Sequence, residues 1–435
     1  MRVALITAGS RGDVAPFTGL GHGLARAGHE VTVVTHESFS GLVREAGLGF
    51  HGLPVDPRAE LRAEAGQQLL TSHNGPGKLA RVLVMARRLV DGMVPGMLEA
   101  ARDSDVLLLS GSVAPLGQVI ADGLGLPSRG VYLQPIAPTG AFPPPVLGTR
   151  SFGAAGNRLA GRAVNEALDL VFARAARFVE RRHGRPRRRF PTRRRPREQQ
   201  DWPIHHGFSA LVVPRPADWR SGLTVGGYWW PYTSPAVELA PEIRRFLDAG
   251  PAPVFVGLGS PTVPDPRRVS DLIVRALRKA GLRGVIQSGW SGLDADGDGD
   301  GDGDGDDMLT IGEAPHSLLF PRMAAVVHHA GAGTTAAGLR AGVPAVPMPV
   351  WFDNAFWASR LTALGVSPGA VPLRRFATPD RLADALIAAT HDPSYRHRAM
   401  VLAERLSEED GVAPVREALE NLHQAAGHGT GHPAS

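Results

Sequence analysis

Cysteine is absent from the 435 residues, which excludes disulfides, thiolate catalysis and zinc-thiolate centres. Lysine is nearly absent too. Only Lys78 and Lys279 occur, so the positive charge is carried by arginine. Aromatic residues amount to 6%. There is no run of about 18 apolar residues, so no transmembrane helix is expected. The opening MRVALITAGSRGD holds too short an apolar stretch for a signal peptide and enters a loop at once. These absences lead to the expectation of a cytoplasmic protein.

What is present is a globular composition. Hydrophobic residues make up 43% of the chain, enough for buried cores, and the length suggests two or three domains. Gly and Pro, 53 and 37 residues, stay below the level of a disordered chain. The formal charge of +5 misleads, because RRHGRPRRRFPTRRRPR at 181–197 holds ten arginines and no acid. Without those ten the remainder stands at −5. A local tract interrupted by one aromatic, Phe190, is a poor nucleic-acid reader. It reads as a solvated surface loop or a contact for an anionic surface. The insert DADGDGDGDGDGDD at 294–307 imitates a calcium loop through Asp296, Asp298, Asp300 and Gly301. A simple repeat fits that opening in several registers, and strands rather than helices flank it, so a self-repelling loop is expected.

Strand and helix patterns alternate. RVALITA (2–8) is followed by a helical PFTGLGHGLARAGH and a second strand, HEVTVVT. Further pieces are a strand at 104–111, a helix at 114–123 and a strand at 129–135. A second cycle opens at 251–260 and runs through helix 267–280, strands 283–289, 308–312 and 324–329, helix 334–341 and strand 345–349. Helical pattern returns at 379–390 and 394–422. Such βαβ alternation implies parallel sheets. The expected class is α/β, two doubly wound Rossmann-like domains joined near 221–245 and facing across a cleft. Ligands of such sheets sit outside the strands' carboxyl ends.

The stretch VVHHAGAGTTAAGLR (326–340) passes from strand to helix. A helix beginning near Thr334 offers free amides and a positive dipole end. Gly331, Ala332 and Gly333 permit close approach, Thr334 adds a hydroxyl, and His329 stands at the strand end. These parts suit a phosphate or diphosphate. They equally suit a tightly packed turn with a core histidine, since a lone glycine loop is weak evidence.

Several separated motifs settle the balance. GSRGDV (9–14), LQPIAPT (133–139), FSALVVPRPADW (208–219), VFVGLGS (254–260), SGW (288–290), GEAPHSLLFPRMAAVVHHAGAGTT (312–335) and the Asp353–Asn354 pair occur in order. Together they resemble the family-one nucleotide-sugar glycosyltransferases of the GT-B fold. The similarity is to the bacterial branch with sterol-glucosyltransferase-like and antibiotic-decorating members. The resemblance implies an acceptor-binding domain over 1–230 and a donor-binding domain over 231–435, the last helix able to pack back on the first. It implies an inverting, metal-independent hexose transfer from UDP-glucose or a TDP-deoxysugar to a lipophilic hydroxyl acceptor. The nucleotide sugar is a co-substrate and no cofactor is required; the chain acts as a monomer or homodimer. In this reading His329 and the amides of Ala332, Gly333 and Thr334 hold the diphosphate, with Ser260 touching phosphate or sugar. Asp353 and Asn354 grip sugar hydroxyls, where the family places Asp-Gln. Ala314 to His316 frame the base and ribose. Plant members carry Trp where Glu313 stands here, which leaves base packing to Trp290. Their ribose acid falls at Ala337.

Asp13 is the expected base. The branch places an aspartate there, in the loop after the first strand, and an inverting transfer needs one proton acceptor. A pKa raised by burial would suit it. The same position also suits a cap for the helix containing Pro16. His22 lies within that helix and is expected to be packed or solvated. Gln134, Pro135 and Phe142, the last in the proline-rich loop 136–145, are candidate acceptor contacts. Two other readings remain at this point: a nucleotide-sugar epimerase of the same fold and a non-catalytic auxiliary relative. A dinucleotide dehydrogenase fits less well, because GSRGD lacks the triple-glycine pattern and Glu37 is a poor ribose acid without it.

Overall fold

The computed structural model describes residues 1–55, 76–185, 198–260, 263, 265–295, 307–373 and 377–428. Most of the arginine tract, most of the Asp-Gly insert and the last seven residues lie outside the described residues.

Two parallel sheets form the frame. The first contains β1 (Arg2–Ile6), β2 (Glu30–His36), β3 (Gly49–Leu53), β4 (Val106–Leu109), β5 (Ser128–Tyr132), β6 (Ile204–His206) and β7 (Leu223–Val225). Their spatial order is β3-β2-β1-β4-β5-β6-β7. The second contains β8 (Val254–Gly257), β9 (Gly284–Gln287), β10 (Met308–Ile311), β11 (Ala325–His328) and β12 (Ala345–Pro347), ordered β10-β9-β8-β11-β12. Strands VLLL and VFVG are buried at every position, as strands covered on both faces must be. Ile6 pairs with both Val34 and Leu109, so the strand order reverses at β1. In the second sheet it reverses at β8, which pairs with β9 and β11.

The helices of the first half are α1 (Arg11–Arg26), α2 (Ser40–Glu45), α3 (Pro76–Arg102), α4 (Ala114–Leu124) and α5 (Gly153–Arg182). Those of the second are α6 (Pro241–Asp248), α7 (Pro266–Lys279), α8 (His316–Leu319), α9 (Ala332–Arg340), α10 (Asn354–Ala363), α11 (Pro379–His391), α12 (Pro393–Ser407) and α13 (Ala413–His428). Start signals are local: Asp265, Thr378 and Asp392 each accept a bond from a first-turn amide.

Three expectations need correction. The helix expected near Pro16 begins at Arg11, because Ser10 and Asp13 form a capping box. Asp13 therefore sits in the first turn of α1 and not in the preceding loop. The helix expected near Thr334 begins at Ala332. The pattern at 394–422 is two helices, α12 and α13. Asp410 caps the second by accepting from Val412 and Ala413 amides at 3.0 and 3.1 Å. Gly411 lies against the backbone of Gly227 and Tyr228, and Trp229 Nε1 donates to its carbonyl at 2.8 Å. The chain thus returns to the first half. Val415 and Leu419 of α13 are fully buried with Val3, Leu5 and Phe17 of the N-terminal core.

Candidate active site

The two reversal points open onto one cleft. On the N-terminal side β1 ends in Thr7, Ala8 and Gly9. Gly9 has φ 143°, and a Cβ there would run into the Asp13 carboxylate, 2.8 Å from its Cγ. Glycine is required so that this carboxylate can fold back over the turn. Asp13 Oδ2 accepts from the Ser10 amide at 2.9 Å and the Ser10 hydroxyl at 3.0 Å. Thr7 Oγ1 donates to the Asp13 carbonyl at 2.8 Å. Pro16 has no amide to give Gly12, whose carbonyl is left facing Gly333 across the cleft. Burial, the largest influence, raises the Asp13 pKa above the ordinary carboxylate value. Bonds from Ser10 and Gln134 and the field of His36 oppose it. Capping and a raised pKa therefore belong to one side chain.

On the C-terminal side β11 ends in two buried histidines. His328 Nδ1 accepts from the Ala330 amide at 3.1 Å. His329 is wedged between Gly259 and Gly331; a Cβ on Gly259 would stand 2.7 Å from its Cε1, and one on Gly331 would strike Nε2. Its Nδ1 has no protein partner. Burial pulls its pKa down to about 4, so the ring is neutral at pH 7. Ala330 is held at φ 63°, a strained conformation for a residue with a Cβ and one that clusters at functional sites. It turns the chain so that Gly331 to Thr334 present the first-turn amides of α9. Ser260 ends the loop after β8, and the Trp290 amide donates to the Gly259 carbonyl at 3.1 Å, which ties the two loops together. His316 is stacked on Phe320 at 4.3 Å and its pKa is lowered to about 4 by burial. Ala314 lies two residues before it, half-buried.

Asp353 precedes α10, and its Oδ2 accepts from Trp357 Nε1 at 2.8 Å. Burial raises its pKa; the Trp357 bond opposes, and the charge of Asp13 raises it further. The Asp13 charge thus reaches Asp353 across the cleft. Asn354 is turned inward. Its Oδ1 accepts from Val350 and Trp351 amides at 3.4 and 3.3 Å, and Nδ2 donates to the strained Ala330 carbonyl at 3.5 Å. Its polar atoms are spent on holding the two loops. Arg11 reaches over the cleft to Glu313 at 3.0 Å.

A cavity of about 720 Å³ opens beside Gly9 and lies wholly in the N-terminal half. Its wall is mainly apolar, from Leu89 and Met93 of α3, Phe172 of α5, Tyr132 and Trp202, with Ser112 and His36 near the Asp13 end. Gln134 sits beside Asp13. Pro135 and Phe142 line a separate crevice of about 40 Å³, and the Phe142 ring meets Phe356 of α10 at 5.2 Å. Asn165 Nδ2 donates to the Ile136 carbonyl at 3.2 Å, and Asp218 accepts from Thr139, Gly140 and Arg158 at 2.6, 2.7 and 3.2 Å. The proline-rich loop is therefore stapled in place. His22 is a packed residue, bonded to the Ala46 carbonyl at 3.1 Å.

Sequence reasoning overlooked His36, Ser112 and the α3 and α5 walls. His36 ends β2, one residue past the expected strand. Its Nδ1 bonds the Val55 carbonyl at 2.7 Å and Nε2 accepts from the Gly9 amide at 3.0 Å. The signal for α5 was present: Asn157 and Asn165, eight residues apart, are polar interruptions of one buried face.

Residues 3–90 match the glycosyltransferase family 28 N-terminal domain. Residues 305–422 match the erythromycin biosynthesis protein CIII-like C-terminal domain. The chain is 30% identical to a sterol 3-beta-glucosyltransferase of Arabidopsis thaliana over 96% of its own length and 68% of that enzyme's. It is 36% identical to O-mycaminosyltylonolide 6-deoxyallosyltransferase of Streptomyces fradiae over 95% of both chains. Among solved structures, the glycosyltransferase of kitacinnamycin superposes with a TM-score of 0.67 at 20% identity, covering 97% of this chain and 98% of that one.

Proposed function

Because the chain belongs to the GT-B nucleotide-sugar glycosyltransferases, in the branch that holds sterol and antibiotic glycosyltransferases, we propose that it is an inverting hexosyltransferase acting on a lipophilic hydroxyl acceptor. The acceptor, a sterol or an apolar natural product, occupies the cavity beside Gly9. Its hydroxyl attacks the anomeric carbon of a UDP-glucose or TDP-deoxysugar donor. Asp13 takes the hydroxyl proton as the new C–O bond forms, and the bond to the diphosphate breaks. The amides of Ala332, Gly333 and Thr334, with His329 and Ser260, take up the charge that develops on the leaving group. Such a cradle can do this without a metal. Asp353 holds sugar hydroxyls, while Asn354 keeps the Ala330 turn in shape. Trp290, Ala314 and His316 flank the base.

The observation that carries this reading is the apposition of the two helix starts across the cleft: a Cβ on Gly333 of α9 would stand 4.0 Å from Gly12, the residue before Asp13. An epimerase has no use for a cavity of 720 Å³ at the base, which favours transfer. The test is a melting-point panel with UDP, TDP and GDP sugars. A ligand at 100 times its Kd adds about 2.7 kcal/mol of stability. One nucleotide class should shift the transition; a flat response to all three would sink the reading.

A further inference from the structure

Helix α5 has two faces, and the proposed reaction uses one. Phe172, Ala176 and Asp169 on the inner face line the acceptor cavity. On the outer face Leu159 and Leu170 are 68% and 50% exposed. They stand eleven residues apart, about three turns, and so share one line. Phe152 at the start and Phe178 near the end are 53% and 48% exposed. Of the thirteen exposed large apolar side chains among the described residues, four fall on α5; three of them, Leu159, Leu170 and Phe178, lie away from the cavity, which Leu168 lines. Scattered single exposures are ordinary, whereas a concentrated set marks an interaction surface.

Charge selects the partner. Arg174, Arg177 and Arg181 continue the Leu159–Leu170 line toward the end of the helix, Arg174 also pairing with Asp91 of α3 at 3.5 Å, while Arg162 lines the cavity. All three are exposed, and among the described residues of α5 Glu166 is the one exposed acid. A second copy of the chain would set these arginines against themselves. A surface both apolar and cationic along one helix fits the headgroup region of a bilayer with anionic lipid. The geometry points to α5 as a peripheral docking face for an anionic lipid surface. Lying on it, the helix sets Leu159 and Leu170 among the headgroups while its other face walls the cavity. A membrane-dissolved acceptor then has a short path to Asp13. The purpose of the docking rests on the acceptor reading above; the docking itself does not.

The experiment is co-sedimentation with phosphatidylcholine vesicles, with and without phosphatidylglycerol. The wild-type chain should pellet with the anionic vesicles only and be released by high salt. Leu159→Glu/Leu170→Glu and Arg177→Glu/Arg181→Glu should each weaken partitioning at least about tenfold. Both should keep the wild-type melting point and turnover on a water-soluble acceptor, and lose turnover on a vesicle-embedded one. Absence of pelleting with anionic vesicles overturns the proposal. So does a wild-type dimer, seen by light scattering, that the leucine variant dissociates, since that assigns the face to a second copy. Vesicle binding by a chain that transfers no sugar would uphold the docking and remove the reaction.

Discussion

Replacing Asp13 by Asn separates catalysis from folding. The amide keeps an oxygen able to accept the Ser10 N–H bond of 2.9 Å, so the start of α1 survives; losing that cap outright would cost about 1 kcal/mol. What disappears is the proton acceptor. General-base assistance contributes about 10²–10⁴-fold, so kcat should drop by that factor, equivalent to about 3–5 kcal/mol of barrier. Nucleotide-induced stabilisation should persist, because the proposed diphosphate cradle lies on the other half. Stability should move the opposite way. A carboxyl whose pKa is higher folded than unfolded favours folding below its unfolded value and penalises it as pH rises through the folded one. Burial raises Asp13 in this sense. Asp13→Asn should therefore melt above wild type at pH 7, the gap narrowing as pH falls toward 4. Steady-state kinetics with a single acceptor and melting curves at several pH values test both halves. Turnover near wild type, or a variant less stable at pH 7, would refute the reasoning.

His329→Ala should remove a hydrogen bond to a charged group worth about 1.5–3 kcal/mol, weakening nucleoside diphosphate binding roughly 10- to 150-fold by calorimetry; an unchanged Kd would clear His329 of the role. With its pKa near 4, wild-type affinity should show no step from this imidazole between about pH 5 and 8. Gly9→Ala should combine strain of about 1–3 kcal/mol with a displaced Asp13 carboxylate, lowering both the melting point and kcat while leaving nucleotide affinity alone.

The strands around both reversal points were legible because they are short apolar runs ended by glycine or serine. The glycine loop at 331–333 was legible for the same reason. Asp13 was readable as a residue but not as a position. Pro16 looked like a first-turn proline, and the Ser10–Asp13 pair that starts α1 five residues earlier was passed over. Asn354 looked like a ligand group; only the fold reveals that the strained Ala330 carbonyl lies within its reach. The walls of the cavity beside Gly9 come from α3 and α5, whose mixed Ala-Arg-Leu composition carries no motif. Their role follows from packing, α3 on β1, β2 and β3 and α5 on α3 and α4, which no local pattern encodes. The break between α12 and α13 likewise answers to Tyr228, far away in sequence.

That break has a practical consequence for recombination. Leu419 and Val415 are wholly enclosed by N-terminal side chains, so the N-terminal half is assembled from two discontinuous pieces of polypeptide. A chimera that exchanges everything after the linker near Gly227 swaps one wall of the front half's hydrophobic interior along with the C-terminal half. Grafts intended to alter only the donated sugar should end before Glu408 and keep the native terminal helix.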